Sequence, residues 1–133
     1  SHDPNEIHST PVPSSSNIII LAYNVDVVGI DEAQFFDDGL VAVCNQLANS
    51  GVRVIVAGLD MDFTGKPFEI VKELMPIADY LYKHHAVCVK CGADGWVSNR
   101  KSKDQERIKI GASDEYEPLC RKCFLEEKRN MID

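Results

Sequence analysis

Two short runs of the chain are dominated by apolar residues: residues 25–30, ending Val27-Val28-Gly29-Ile30, and Val52-Arg53-Val54-Ile55-Val56-Ala57-Gly58. Their length and β-branched composition predict buried strands of a parallel sheet. Between them, Asp38 to Asn49 carries Leu40, Val43, Cys44 and Leu47 at helical spacing. This is the pattern of an amphipathic helix, and Gly51 stands where a C-cap glycine belongs. Strand, helix and strand in that order predict a right-handed βαβ unit.

The flanks are less regular. Residues 1–16 are polar and punctuated by Pro4, Pro11 and Pro13, which reads as loop. The isoleucines of Asn17–Tyr23 favour strand, but the capping serines Ser14-Ser15-Ser16 and the polar break that follows favour a short helix, which is the expectation here. Pro67 suits the first turn of a helix through Ile70, Val71 and Leu74 toward Ala78, and Pro76 bends or ends it. Residues Tyr80–Val87 read as extended. From Cys88 onward the texture changes to short strands, glycines, charges and cysteines, so the expected domains are 1–87 and 88–133.

Composition narrows the class. The 133 residues are 44% hydrophobic and 26% charged, enough for one compact domain with a small appendage. The net charge of −7 and the lack of a basic patch argue against a nucleic-acid partner. No apolar run approaches the length of a membrane span, and nothing resembles a secretory signal, so the expected location is cytoplasmic. The first methionine is Met61, so the chain is expected to be either a fragment or a sequence given without its early residues.

Cysteines carry the first chemical signal. Cys88-Val89-Lys90-Cys91 and Cys120-Arg121-Lys122-Cys123 are two C-x2-C pairs. Each pair lets two thiolates chelate one ion, and together they predict a tetrahedral, structural zinc site with no open position for water. A small loop-rich segment has little core of its own, so a metal staple makes physical sense. The alternative is free or redox-active thiols, but redox use needs one such pair. His84 and His85 precede the first pair and could replace a thiolate. Cys44, on the apolar helix face, reads as a small core residue. The long segment between the pairs could close over a ligand or form a solvated hairpin.

The first apolar run leads directly into Asp31 and Glu32. Ligands bind beyond the carboxyl ends of parallel strands. Asp31 thus stands where a nucleotide-bound magnesium ion would need an oxygen ligand, and Glu32 where a base could reach a substrate hydroxyl. The plainer alternative is that both only open a polar loop. A nucleotide enzyme of this architecture needs a phosphate cradle of the form G-x-x-x-x-G-K-[ST]. Gly65-Lys66 fails that pattern, with Asp60 in place of its first glycine and Pro67 in place of its hydroxyl residue, and no other segment fits.

Three segments together resemble the cytosolic-type (type II) thymidine kinase family. They are Ile30-Asp31-Glu32-Ala33-Gln34-Phe35-Phe36, then Val54 to Phe63 with Gly65-Lys66-Pro67-Phe68, and the paired C-x2-C with Ile110-Gly111-Ala112 and Tyr116 between the pairs. Ser1-His2-Asp3 is similar to an interior loop of that family. The resemblance implies an α/β, RecA-like parallel sheet, partial here, followed by a zinc-stapled lasso that closes over the nucleoside. The implied reaction moves the γ-phosphate of ATP to the 5′-hydroxyl of thymidine with magnesium. It further implies that Asp31 helps hold magnesium and that Glu32 is the general base, with Asp31, Glu32, Ala33 and Gln34 on the cofactor side. Leu59, Phe63 and Phe68 would wall the base pocket, although core packing is the ordinary role of buried aromatics. Ser98 lies where the family places a threonine near the base. Arg107, Ile108, Lys109, Ile110 and Gly111 would supply backbone contacts, Tyr116 would touch the nucleoside, and Arg100 would set the lasso. A homotetramer with feedback by thymidine triphosphate is implied as well.

The chain departs from the family in four ways. It lacks the phosphate loop and first strand, has Ser98 for threonine, carries the bulky Trp96 in the lasso, and has a short charged segment from Lys101 to Glu106. The competing reading is a zinc-stabilised binding or interaction module with a kinase-like shell and no catalysis. A RecA-like ATPase acting on nucleic acid is a third reading, which the net charge opposes.

Overall fold

The computed structural model describes residues 9–101 and 115–132. Its chain divides into two compact units, 1–58 and 59–133.

The first unit is built around one βαβ element. Helix α1 (Ser16–Leu21) precedes β1 (Val27–Ile30); helix α2 (Leu40–Asn49) then leads to β2 (Arg53–Val56). The strands run parallel, with Val27 opposite Arg53 and Ile30 opposite Val56. Helix α2 packs on both α1 and β2. Its Leu40, Val43, Cys44 and Leu47 are all buried, as their spacing predicts, and Gly51 follows the helix at φ +92°. Burial pushes the Cys44 thiol up, consistent with a small core side chain.

The strands themselves correct the sequence reading. Only Ile30 of β1 is buried, whereas Val27 is 53% and Ile55 52% exposed. An apolar run shows that a strand can be covered on both faces; the cover must come from neighbouring elements. This sheet has two strands among the described residues, so each strand is an edge.

In the second unit, Met61 pairs with Pro67 in an isolated bridge, and α3 (Glu69–Leu74) follows. The helix therefore begins two residues after Pro67, which serves the bridge instead. A 3-10 turn at Met75–Ile77 takes over at Pro76, which cannot continue an α-helix. Within Tyr80–Val87 the sole strand-like feature among the described residues is the Val87–Asp94 bridge. Strands β3 (Val97–Arg100) and β4 (Tyr116–Leu119) form an antiparallel pair, and α4 (Arg121–Ile132) lies against both. Cys88, Val97, Leu119, Cys123 and Phe124 form the core there, with Trp96 and Cys120 packed on it.

Ser15 stands at the N-cap of α1, but its hydroxyl does not cap the helix. Its N–H and hydroxyl both donate to the Asp37 carboxylate, at 2.8 and 2.6 Å, joining α1 to a loop 22 residues later. A Cβ on Gly39 would come within 2.7 Å of the Ser15 hydroxyl and 2.9 Å of the Asp37 carboxylate. Gly39→Ala is therefore expected to destabilise by about 1–3 kcal/mol, although the helical backbone there accepts alanine. Urea unfolding checks this through a lower midpoint at unchanged slope.

Candidate functional site

In the first unit the site grows from the end of β1. Ile30 is the last strand residue and is buried, while Asp31 and Glu32 emerge exposed beyond its carboxyl end. The Ala57 N–H donates to Ile30 O at 2.8 Å, and the Ala33 N–H to Ala57 O at 3.0 Å. Backbone on both sides of the two carboxylates is thus held by the segment after β2. Glu32 takes the left-handed conformation, φ 53° and ψ 44°, at the start of the 3-10 turn Ala33–Phe35. That conformation costs a side-chain-bearing residue of order 1 kcal/mol or more and clusters at functional sites.

Two hydrogen bonds fix the carboxylates locally. The Glu32 N–H donates to Asp31 Oδ1 at 2.9 Å, and buried Gln34 donates its amide to Glu32 Oε2 at 2.7 Å. Glu32 opens onto a cavity of about 430 Å³ lined by Val12, Pro13, Ser14, Phe35, Phe36 and Asp37. Sequence reasoning missed these lining residues. The signal that could have found Phe35 and Phe36 was their adjacency to the carboxylates; nothing local marked Val12 or Pro13.

The Ser15 hydrogen bonds hold Asp37 below the ordinary carboxylate value of 3.8, against the opposing effect of burial. A depressed folded value means that the lock contributes above the unfolded pKa and is lost as pH falls through the folded one. An NMR titration should therefore place the Asp37 midpoint below 3.8, with the Ser15 amide signal moving at the same pH.

The second unit holds the other anticipated residues. Leu59 is 49% and Phe63 37% exposed, and Phe68 is half-buried. Leu59 and Phe68 flank, and Phe63 lies within, a tight turn organised by Asp62. Its Oδ1 accepts from the Thr64 N–H at 2.9 Å, the Lys66 N–H at 3.1 Å and the Thr64 hydroxyl. Burial of Asp62 raises its carboxyl pKa, but these bonds together outweigh that and leave it lowered. Asp60 pairs with Lys83 at 2.9 Å.

On β3, Val97 and Asn99 are buried while Ser98 and Arg100 face the other way, half-buried. The Arg100 guanidinium lies 5.4 Å from the centre of the Phe63 ring, and Tyr116 stands opposite Arg100 in the ladder. Phe63, Arg100 and Tyr116 are thereby gathered. Asn99 Nδ2 is buried with no partner among the described residues, and sequence reasoning did not single it out. Arg107, Ile108, Lys109, Ile110 and Gly111 lie outside the described residues.

The four sulfur atoms of Cys88, Cys91, Cys120 and Cys123 all lie within 4.8 Å of one another. Tetrahedral thiolates about 2.3 Å from one ion lie about 3.8 Å apart, so the cluster can hold a metal ion. The Cys123 N–H also donates to Cys120 Sγ at 3.4 Å, the kind of bond that supports a thiolate. The Cys120 N–H pulls the Cys88 thiol down to about 6, against burial and with help from the N–H groups of Cys91 and Lys90. Its neighbour Cys123 is pushed up to about 12, chiefly by its bond with Cys120 and by burial. Four thiols this close ionise together only when a cation offsets their charge. His85 is committed elsewhere, its Nδ1 lying 3.0 Å from the Gly95 carbonyl oxygen.

Comparison with known proteins decides the family. The sequence model of the family described as thymidine kinase matches residues 1–124. The chain belongs to the thymidine kinase family. A thymidine kinase of Bacteroides thetaiotaomicron is 56% identical over 125 residues, which are 94% of this chain and 63% of that protein. One from Bacteroides fragilis is 55% identical over 132 residues, 97% of this chain and 66% of the relative. A Rhodothermus relative is 54% identical over 124 residues, 93% of this chain and 58% of its own length. The chain thus spans less than two thirds of these curated relatives. Among its described residues no helix is long and apolar enough to cross a membrane.

Proposed function

We propose that the protein carrying this chain is an ATP-dependent thymidine kinase, and that these residues supply its acceptor side. Family membership together with the strained Glu32 at the end of β1 supports this reading. Glu32 takes the proton from the thymidine 5′-hydroxyl. That oxygen forms a bond to the γ-phosphorus of ATP as the β–γ bridging oxygen leaves with ADP, giving thymidine 5′-monophosphate. Phosphoryl transfer asks the protein mainly for positioning and charge neutralisation. Gln34 supplies positioning directly, through its bond to the Glu32 carboxylate.

Asp31, an exposed hard oxygen donor, would hold magnesium, which neutralises charge on the transferring phosphoryl group. Asp31, Glu32, Ala33 and Gln34 face the cofactor. Leu59, Phe63 and Phe68 wall the base, and Ser98, Arg100 and Tyr116 complete the nucleoside contacts with residues 107–111. The cysteine cluster holds structural zinc. The same reading takes 1–87 as part of a RecA-like domain and 88–133 as the lasso, in a cytoplasmic homotetramer under feedback by thymidine triphosphate.

Calorimetry on this 133-residue chain, paired with a phosphoryl-transfer assay on the intact protein, tests the reading. Thymidine binding by the chain and label transfer from γ-labelled ATP to thymidine by the intact protein are expected. Failure of transfer would sink the proposal. A second reading is a metal-stabilised binding module without catalysis, which the four clustered cysteines favour. Binding of neither thymidine nor ATP would favour it.

A further inference from the structure

The resemblance leaves Trp96 without a role, and the metal cluster with a purely structural one. Within the second unit the two meet. Trp96 directly precedes β3, and its N–H donates to Leu119 O at 2.7 Å, one residue before Cys120. Its ring meets Phe124 edge-on, with centroids 5.6 Å apart at 64°. The Arg121 guanidinium covers the ring at 3.9 Å from its centre. Cys123 and Phe124 are consecutive residues of α4, and Trp96 packs on the small core that they share with Cys88.

The same pair carries the turn at Asp62–Lys66. Gly65 sits at φ +86°, and a Cβ there would meet Trp96 at 3.3 Å and Phe124 at 3.7 Å. The turn backbone therefore rests directly on both rings, which suits glycine on two counts, conformation and space. Phe63 lies in this turn, and its ring centre is 5.4 Å from the guanidinium of Arg100, the last residue of the strand that follows Trp96.

We propose that Trp96 is a positioning residue: with Phe124 it forms a metal-anchored seat for the Asp62–Lys66 turn, and thereby sets the aromatic wall at Phe63 against which a nucleoside base packs. The base-packing clause rests on the kinase reading above; the seat does not. Metal at the cysteines then acts on ligand affinity as well as on folding, through α4, Trp96 and Gly65.

The test uses the intact, metal-loaded protein with Trp96→Ala, Trp96→Leu and Trp96→Phe. Hydrogen exchange is read at the Thr64, Gly65 and Lys66 amides, all bonded to Asp62. Exchange there should quicken about tenfold in the alanine and leucine variants, a loss of about 1.4 kcal/mol. Thymidine affinity should weaken about tenfold, with kcat within about twofold of wild type. Trp96→Phe, which keeps a ring against Gly65, should restore both. Unchanged exchange in metal-replete variants overturns the proposal. So does loss of metal from both the alanine and leucine variants, since Trp96 would then serve the cluster rather than the turn. A wild-type protein that binds no thymidine refutes the kinase reading and the base-packing clause, while exchange still decides the seat.

Discussion

Glu32→Gln in the intact protein is expected to lower kcat for thymidine phosphorylation by about 10²–10⁴-fold, the usual contribution of a positioned base. The substitution is chosen because it keeps shape. A glutamine oxygen can still accept from Gln34, and the left-handed backbone at this position is set by the bonds of Ala33, Ala57 and Ile30 around it. What disappears is the capacity to take a proton. Thymidine affinity measured by calorimetry should stay within about threefold, since the loss concerns an interaction made on the way to the transition state. Turnover close to wild type would remove Glu32 from the role of base. A parallel loss of affinity would instead mean that the carboxylate orients the nucleoside.

The second large effect concerns the cysteines. Cys88→Ser, or prolonged exposure to a strong chelator, should unfold much of the second unit. The cluster members Cys88 and Cys123 are also core members, beside Val97, Leu119 and Phe124. A structural ion held by four thiolates contributes on the order of 10–16 kcal/mol of apparent binding free energy, as much as the whole stability of an ordinary domain. Elemental analysis should show loss of the metal. Near-ultraviolet circular dichroism should show Trp96, the one tryptophan of these 133 residues, losing its fixed environment. Re-addition of zinc to the chelated wild-type protein should restore both. A chelated protein with an unchanged Trp96 signal would show that the small core stands without the ion.

Cysteine pairs and helix spacing were legible because their physics is local. A C-x2-C pair presents two thiolates to one ion whatever surrounds it, and both pairs converge as expected. Leu40, Val43, Cys44 and Leu47 share a face by helical geometry alone, and that face is buried. Pro76 ends α3 for want of an N–H. Burial of the strands was not legible. Val27 and Ile55 are as apolar as core residues, yet their exposure depends on how many strands and helices lie beside them. The serines before α1 show the same limit, since Ser15 reaches a carboxylate distant in sequence rather than its own helix.

From the order of its residues alone, this chain determines a βαβ element with two carboxylates just beyond its first strand, a four-thiolate ligand set, and a family resemblance that the comparisons establish. Each follows from short-range periodicity, short-range spacing or residue identity. Tertiary structure decided that Glu32 is held left-handed with its carboxylate bonded to Gln34, that Arg100 covers Phe63, and that Gly65 rests on Trp96 and Phe124. The Phe63 and Gly65 contacts join residues far apart along the chain. The Glu32 conformation is imposed by backbone bonds from a neighbouring strand end, which no local preference of glutamate would select.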